Sequence, residues 1–285
     1  MFKILNTKKS EIVFFLSFVS LIFSFFLNED GSGGGARGDF EITYGFIIAL
    51  QENLLADPKD WTLVHTPLHF IILSYVTRII EDPYILRFLF CFISFFLPLT
   101  FYLSISYSNQ NKSSKNILLI LSSCIFFVPS FRYTSIWAND LVTSIFFFVC
   151  SLYFFKKWEN NKNSNLNKNL LLQILFLVLA TYTRQYFAVF FIYFLFRYYQ
   201  VLTKINFLKL FGFCVLSSLP VFFYTYKFPE LLTGQVISIN ALNYFLLGNS
   251  SIMSITLYPV FLINILYKKI DFKKFLIPSL VSFFI

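Results

Sequence analysis

The sequence predicts an all-α fold, a polytopic transmembrane helix bundle with about eight or nine spans in a single membrane domain over residues 1–285. The first reason is composition. Of the 285 residues 57% are hydrophobic and 13% are charged, against roughly 45–50% and about 25% in soluble domains, and the mean hydropathy is +0.70. The second reason is that the apolar residues form runs that approach the about 20 residues a helix needs to cross the hydrocarbon core. A water-soluble fold is therefore excluded.

The first predicted span covers residues 12–27 and follows three lysines near the N-terminus. No small-residue cleavage site comes after it, so we expect a retained helix rather than a removed signal peptide. The last apolar run, 275–285, has 11 residues, about 16 Å of helix, which is too short to cross. We therefore expect a chain that is truncated at its C-terminus. The spans between these two runs cover residues 84–107, 116–130, 140–155, 170–182, 186–199, 207–226 and 251–267.

The positive-inside rule sets the orientation of these spans, because lysine and arginine accumulate in cytoplasmic loops. If the apolar run 67–80 crossed the membrane, the lysine-rich loops at Lys112 and Lys156 would lie opposite the basic N-terminus. If the run is a half-helix at the outer surface, most of the 23 basic residues lie on the cytoplasmic side. Residues 28–83 then form a long outer loop with juxtamembrane helices. This topology also explains the net charge of +9 without a nucleic-acid partner.

No metal site and no disulfide framework are predicted. The four cysteines lie inside apolar runs without a CxxC spacing, so we interpret them as small apolar residues. His65 and His69 are four positions apart, a spacing that binds metal on a continuous helix, but Pro67 between them fits a helix start better. We expect no cofactor, and a divalent cation is the alternative, without an assigned residue.

The outer loop contains the first group of candidate functional residues. Asp39 and Glu41 follow the glycine-rich segment 31–38, which either lets the backbone approach a ligand closely or serves as a loose linker. The apolar residues after them recur at roughly helical spacing, which predicts an amphipathic surface helix. Carboxylates two positions apart do not share a helical face, so at most one of the two points into a site.

A second group lies where the predicted spans meet the outer surface. Arg132, Asn139 and Asp140 stand at the outer ends of two spans, and ionisable residues this close to hydrocarbon usually face a cavity or a partner. Capping of the helix that Asp140 opens explains this residue equally well. Arg184 separates two short apolar runs. Its guanidinium suits a lipid phosphate, and extension towards the interface is the alternative.

The order of these segments resembles the GT-C superfamily of polytopic glycosyltransferases, which use polyprenyl-phosphate or dolichyl-phosphate sugars. The matching segments are Gly38-Asp39-Phe40-Glu41 after the first span, His65-Thr66-Pro67-Leu68 before a juxtamembrane helix, and Asn139-Asp140 at the start of a span. The first outer loop is similar to that of protein O-mannosyltransferases and aminoarabinose transferases. Thr183-Arg184-Gln185 also looks like a segment of the dolichyl-phosphate-glucose alpha-1,2-glucosyltransferase.

This resemblance implies an enzyme that moves a sugar, with inversion, from a polyprenyl-phosphate-linked donor to a lipid, glycan or protein acceptor, in contact with membrane lipid. It implies a carboxylate as general base, with Asp39 as the first choice and Glu41 in reserve. The high usage of Lys, Asn, Phe and Ile is typical of an AT-rich genome and favours a bacterium. The active site of this multi-pass protein is therefore expected to face the periplasm from the inner membrane. The residues implied in substrate binding are Arg184, Arg132, Lys59, His65 and Asp140.

Two other interpretations stay open. A polytopic transporter or lipid flippase of envelope polysaccharide synthesis is expected to place charged or broken segments near the midplane and often to have repeated halves. The sequence has no visible repeat, and its ionisable residues cluster at the predicted outer boundary. A non-catalytic assembly subunit of such a system needs no catalytic carboxylate, so substitution of Asp39 discriminates it from an enzyme.

Overall fold

The computed structural model describes residues 7–31, 33–57, 65–107, 112–160 and 165–228, and all regular structure in these ranges is helical. The predicted all-α class is therefore confirmed for the described residues, which belong to one compact unit, 1–232. The predicted span 251–267 and the short apolar run 275–285 lie outside them. The α-helices are α1 (Thr7–Phe26), α2 (Gly35–Glu52), α3 (Leu68–Thr77), α4 (Pro83–Ile93), α5 (Phe96–Ser106), α6 (Lys112–Ser123), α7 (Pro129–Ile136), α8 (Asp140–Asn160), α9 (Lys168–Thr183), α10 (Val189–Tyr199) and α11 (Lys204–Lys227).

Within the described ranges, four stretches of helix are long and apolar enough to cross a membrane, judged by length and composition. They are α1, the nearly continuous pair α4 and α5, α8, and α11. Their length and hydropathy are compatible with a multi-pass membrane protein. A fifth crossing is formed by 114–136 if α6 and α7 count as one span, although the chain bends by 64° between them.

The predicted count of eight or nine spans is not supported by the described residues. The predicted spans 170–182 and 186–199 correspond to α9 with 16 residues and α10 with 11 residues, both below the about 17 that a crossing needs. Helix α9 ends at Thr183, the backbone of Arg184 is extended with φ −143° and ψ 116°, and residues 185–188 wind as a tighter 3₁₀ turn. The chain is therefore interrupted between the two predicted spans, as the sequence indicates, but neither helix beside the interruption is long enough to cross.

The predicted outer loop contains two helices. Helix α2 begins directly after Gly33 and Gly34, whose φ values of 67° and 98° lie in the left-handed region that glycine adopts without a steric penalty. Helix α3 begins after Pro67, as the sequence predicts, and has 10 residues. At about 1.5 Å per residue it spans roughly 15 Å, so it is half the length of a crossing.

In the part of the chain that the structure describes, two large apolar clusters hold the helices together. The first packs α1, α2, α4 and α7 around fully buried side chains such as Phe25, Phe46 and Ile136. The second packs α8, α9 and α10 around Trp158 and Tyr198. Large apolar side chains also cover the outer faces of α1, α10 and α11, as is expected for helices that contact lipid.

Candidate functional site

The C-terminal ends of α1, α7 and α9 and the N-terminal ends of α4 and α8 meet at one end of the helical assembly, which we call the polar end. The connection between α7 and α8, Trp137–Asn139, lies at its centre. Ala138 has φ 48°, and its carbonyl oxygen lies 2.9 Å from Nε2 of His69 in α3. Arg87 of α4 donates from Nε to the carbonyl oxygen of Ile136, at 3.1 Å. Two other helices therefore fix the backbone of this connection.

Arg87 is a buried side chain with 7% of its surface exposed. Its Nη2 donates to Oδ1 of Asn28, at 3.2 Å, and its guanidinium carbon lies 3.5 Å from the centre of the Trp137 ring. No carboxylate in the described ranges lies within ion-pair distance of it, since the pairs found there involve other arginines and lysines. A buried charge is costly unless an opposite charge compensates it, so this guanidinium is a marked feature of the polar end.

A cavity of about 600 Å³ opens beside Arg87. This volume is within the roughly 300–1,000 Å³ range of small-molecule sites. Charged groups of both signs line it, as do aromatic rings. The lining residues are Asn28, Asp30, Gly34, Arg37, Phe40, Glu41, Pro83, Tyr84, Arg87 and Trp137.

Of the two carboxylates predicted as the general base, Glu41 lines this cavity and Asp39 is exposed outside its lining. Both lie on α2, where a separation of two positions turns the side chains apart by about 200°. Glu41 accepts a hydrogen bond from Nε of Arg37, at 2.9 Å. The backbone N–H of Arg37 donates to the carboxylate of Asp30, at 3.0 Å. Arg37, in the first turn of α2, thus contacts both carboxylates that line the cavity.

Arg132 forms a bidentate ion pair with Glu29, with Nε and Nη2 each at 2.9 Å from a carboxylate oxygen. Its remaining donors reach the carbonyl oxygen of Phe126, at 2.9 Å, and the hydroxyl of Ser24. The hydrogen bond from Arg132 is the largest cause that lowers the pKa of Glu29 below its ordinary value. This arginine, predicted to bind substrate, therefore ties α7 to the end of α1.

Arg184 forms a second bidentate pair, with Asp140. Its Nη2 and Nε lie 2.6 and 2.9 Å from the two carboxylate oxygens, and 17% of the arginine side chain and 4% of the aspartate side chain are exposed. The predicted capping role of Asp140 is taken by Asn139, whose Oδ1 accepts from the backbone N–H of Leu141 at 3.0 Å. The structure thus brings together two residues that the sequence singled out separately.

The two histidines have different surroundings. His69 is buried, and its ring nitrogens lie 2.9 Å from the hydroxyl of Thr143 and 2.9 Å from the carbonyl oxygen of Ala138. His65 precedes α3 near Asp140 and Arg184, and burial is the largest cause that lowers its pKa. Within the described ranges no group of three His, Cys, Asp or Glu residues could hold a metal ion.

An apolar cavity of about 240 Å³ lies between α3, α4 and α8. His69 and Thr143 supply polar groups to its wall, and residues such as Leu73, Leu86 and Phe146 supply the apolar remainder. The cavity is suited to an alkyl chain rather than to a polar molecule, because so few polar groups face it.

Sequence reasoning missed Arg87 and the role of Trp137. The signal for Arg87 was present, since an arginine about one turn inside the apolar run 84–107 is costly in a membrane and marks a functional position. Of the predicted substrate contacts, Lys59 lies outside the described residues.

The described part of the chain is all-helical, with several helices able to cross a membrane and a charged cavity at their polar end. Comparisons with protein-family models, with curated proteins and with solved structures found no match.

Proposed function

We propose that the protein is a membrane glycosyltransferase that moves a sugar from a polyprenyl-phosphate-linked donor to a lipid, glycan or protein acceptor. The observation that carries the proposal is the cavity of about 600 Å³ at the polar end, where carboxylates stand beside a buried guanidinium. Sugar transfer from a lipid phosphate needs a base and a phosphate-binding cation within one site at the end of the helices. The proposal retains the predicted multi-pass topology with this end facing the periplasm.

In the proposed reaction an acceptor hydroxyl attacks the anomeric carbon of the sugar. The new bond forms as the bond from this carbon to the phosphate oxygen breaks, the electron pair stays on the phosphate, and the hydroxyl proton moves to a carboxylate. The proposal assigns this base to Glu41, because it lines the cavity, and keeps Asp39 as the alternative. A general base must lie within hydrogen-bond reach of the proton that it removes, and the hydrogen bond from Arg37 orients the Glu41 carboxylate at the cavity.

In the proposed enzyme, Arg184 and Arg132 stabilise the helix ends that surround the site. Each already faces a carboxylate at ion-pair distance, so each would have to give up that partner to neutralise a phosphate. Asp140 and His65 lie beside Arg184, and we propose that these three residues border the substrate. The apolar cavity between α3, α4 and α8 suits part of the isoprenoid chain of the donor.

The test is a profile of glycans and lipid-linked sugars in cells that carry the wild type, Glu41→Gln or Asp39→Asn, with membrane levels measured by immunoblot. The exposed Glu52→Gln, at the other end of α2, is the matched control. We expect Glu41→Gln to lower one product by about 100-fold or more, as loss of a general base does, and Glu52→Gln to leave it unchanged.

The result of Asp39→Asn decides between the two bases. A loss in Asp39→Asn with normal product in Glu41→Gln would move the base to Asp39 and keep the enzyme. If both variants make normal product while deletion of the gene alters the profile, the enzyme proposal fails and a flippase or an assembly subunit replaces it.

A further inference from the structure

We propose that Arg87 binds a phosphate ester of a hydroxylated molecule inside the cavity bordered by α2, α4 and the α7–α8 connection. The site lies at the buried guanidinium, and the chemical class of its ligand is a sugar phosphate or polyol phosphate. The inference rests on the proposed function only for the source of this phosphate. In the proposed reaction the phosphate belongs to a lipid headgroup, and without that reaction it belongs to a soluble ester.

Arg87 carries a positive charge at a buried position. Arg87 is 7% exposed, and in the described ranges no carboxylate pairs with it, whereas Arg132 and Arg184 at the same end of the assembly each have one. Arginine in apolar surroundings is normally compensated by an anion, because removing its charge from water is costly. The guanidinium of Arg87 lines a cavity large enough for a ligand, so a bound anion is the compensation that the geometry allows.

The guanidinium of Arg87 also has hydrogen-bond donors available for a ligand. Two of the three guanidinium nitrogens are used, Nε by the Ile136 carbonyl and Nη2 by Asn28. Among the described residues no acceptor is hydrogen-bonded to Nη1. The Trp137 ring, 3.5 Å away, holds the plane of the guanidinium by stacking. The group is thus held in place with donor capacity left over, and phosphate oxygens match guanidinium donors well.

The cavity also constrains the rest of the ligand. Asp30 and Glu41 line the same cavity, and carboxylates repel a free phosphate dianion but accept hydrogen bonds from hydroxyl groups. A ligand that places its phosphate at Arg87 and its hydroxyl groups at these carboxylates compensates the guanidinium charge and donates hydrogen bonds to the carboxylates. The volume of about 600 Å³ also exceeds what inorganic phosphate fills. An ester with an attached hydroxylated group is therefore favoured over the bare ion.

The experiment is calorimetric titration of the purified full chain in detergent. The probes are a soluble hexose 1-phosphate, inorganic phosphate, and polyprenyl phosphate carried in the micelles. Arg87→Gln keeps a donor for the Ile136 carbonyl and removes the charge. The matched control is Arg78→Gln, since Arg78 is exposed on the C-terminal side of α3 and outside the cavity lining.

We expect Arg87→Gln to weaken binding of hexose 1-phosphate by about 10- to 100-fold, as loss of a charge-assisted hydrogen bond does, and Arg78→Gln to leave it unchanged. Inorganic phosphate is expected to bind more weakly than the ester. If polyprenyl phosphate is the one probe that binds the wild type, and Arg87→Gln abolishes this binding, the result also supports the site and identifies a lipid source. Equal binding in the wild type and Arg87→Gln, or no binding of any probe to the wild type, overturns the proposal.

A second measurement keeps the test decisive if Arg87→Gln does not fold. Trp137 stacks on Arg87, so a bound phosphate is expected to change the tryptophan fluorescence of the wild type, and Trp137→Phe is expected to abolish that change. A wild-type spectrum unaffected by saturating probe would contradict the inference. Phosphate binding without any change of glycans in cells would retain this site and reject the proposed function, so the two failures are distinguishable.

Discussion

At the residue scale, the polar end contrasts two compensated arginines, Arg132 and Arg184, with Arg87, which has no carboxylate beside it among the described residues. Arg184 faces Asp140 and Arg132 faces Glu29, each through two short hydrogen bonds. The pair of Arg184 and Asp140 is the more buried of the two. A charge removed from water depends more strongly on its partner. Removing one member of the pair of Arg184 and Asp140 should therefore lower the free energy of unfolding more than removing one member of an exposed pair.

The first prediction concerns this pair. Asp140→Asn leaves the Arg184 guanidinium without its counter-charge, so we expect the free energy of unfolding to fall by about 3 kcal/mol. Chemical denaturation of the detergent-solubilised protein measures it. The double variant Asp140→Asn with Arg184→Met removes both charges and should recover most of the loss. A double variant as unstable as the single one would mean that the pair itself stabilises the fold.

The second prediction concerns pH. Arg132 lowers the pKa of Glu29 from 4.5, so the carboxylate stabilises the folded chain above the unfolded pKa, and this contribution disappears as the pH falls through the lower, folded pKa. The effect is modest, since 36% of the Glu29 side chain is exposed and solvent screens the pair. We expect the thermal midpoint of the wild type to drop more between pH 7 and pH 3.5 than that of Glu29→Gln. Identical drops in the two proteins would contradict the assignment.

At the scale of helices, a buried polar chain joins α8, α9 and α10. The hydroxyl of Tyr198 donates to Oε1 of Gln173, at 2.7 Å, and Nε2 of Gln173 donates to the hydroxyl of Ser151, at 3.0 Å. All three side chains are fully buried. Since apolar surfaces give little drive for association in lipid, hydrogen bonds between helices become a larger share of what holds them together.

The third prediction concerns these buried hydrogen bonds. Tyr198→Phe removes one of the two hydrogen bonds and is expected to lower the free energy of unfolding by about 1 kcal/mol, while Gln173→Leu breaks both and should cost more. Tyr193→Phe makes the same chemical change at an exposed position of α10 and serves as the control, with no expected loss. If Tyr198→Phe and Tyr193→Phe are equally stable, the buried hydrogen bonds of Tyr198 and Gln173 do not contribute to helix association.

The bend between α6 and α7 is a second feature at this scale. Hydropathy predicts one span over 116–130, but the chain turns by 64° ahead of α7, which begins at Pro129. Proline at the first position of a helix needs no N–H there, so α7 can begin in a new direction. Arg132 then anchors α7 to Glu29 and to the Phe126 carbonyl. The bend carries the α7–α8 connection to the cavity.

At the scale of the whole molecule, all the charged groups of the candidate site lie at the polar end. The opposite ends of α8 and α9 are basic, with Lys156, Lys157 and Lys168 near the connection between these helices. The positive-inside rule places such basic connections in the cytoplasm. The polar end is therefore expected to face outwards.

The fourth prediction tests this orientation. In a variant whose native cysteines are replaced by alanine, Asp39→Cys and Lys168→Cys each introduce one thiol at an exposed position. We expect a membrane-impermeant maleimide to label Asp39→Cys in intact cells and to label Lys168→Cys only after permeabilisation. Both should react fully in detergent, which controls for accessibility. Labelling of Lys168→Cys alone in intact cells would invert the topology and place the cavity in the cytoplasm.

Local patterns were enough for several features. The start of α3 after Pro67, the amphipathic helix that contains Asp39 and Glu41, and the start of α8 at Asp140 all depend on residues within one or two turns. The break at Arg184, with its extended backbone, also falls where the sequence places it, between the predicted spans 170–182 and 186–199. Hydropathy failed in counting these two runs as crossings, because the helices there have 16 and 11 residues, fewer than the about 17 that a crossing needs.

The sequence by itself determined the helical class, the apolar character and the polar residues at the helix ends, because each depends on near neighbours along the chain. Only the tertiary structure decided which charges meet. Glu29 and Arg132 are 103 positions apart and Asp140 and Arg184 are 44 apart, and no local pattern pairs them. It also decided that Glu41 rather than Asp39 lines the cavity and that Arg87 has no carboxylate beside it in the described ranges. The physical reason is that compensation of a buried charge depends on helices that pack together, and their packing is set by the whole chain.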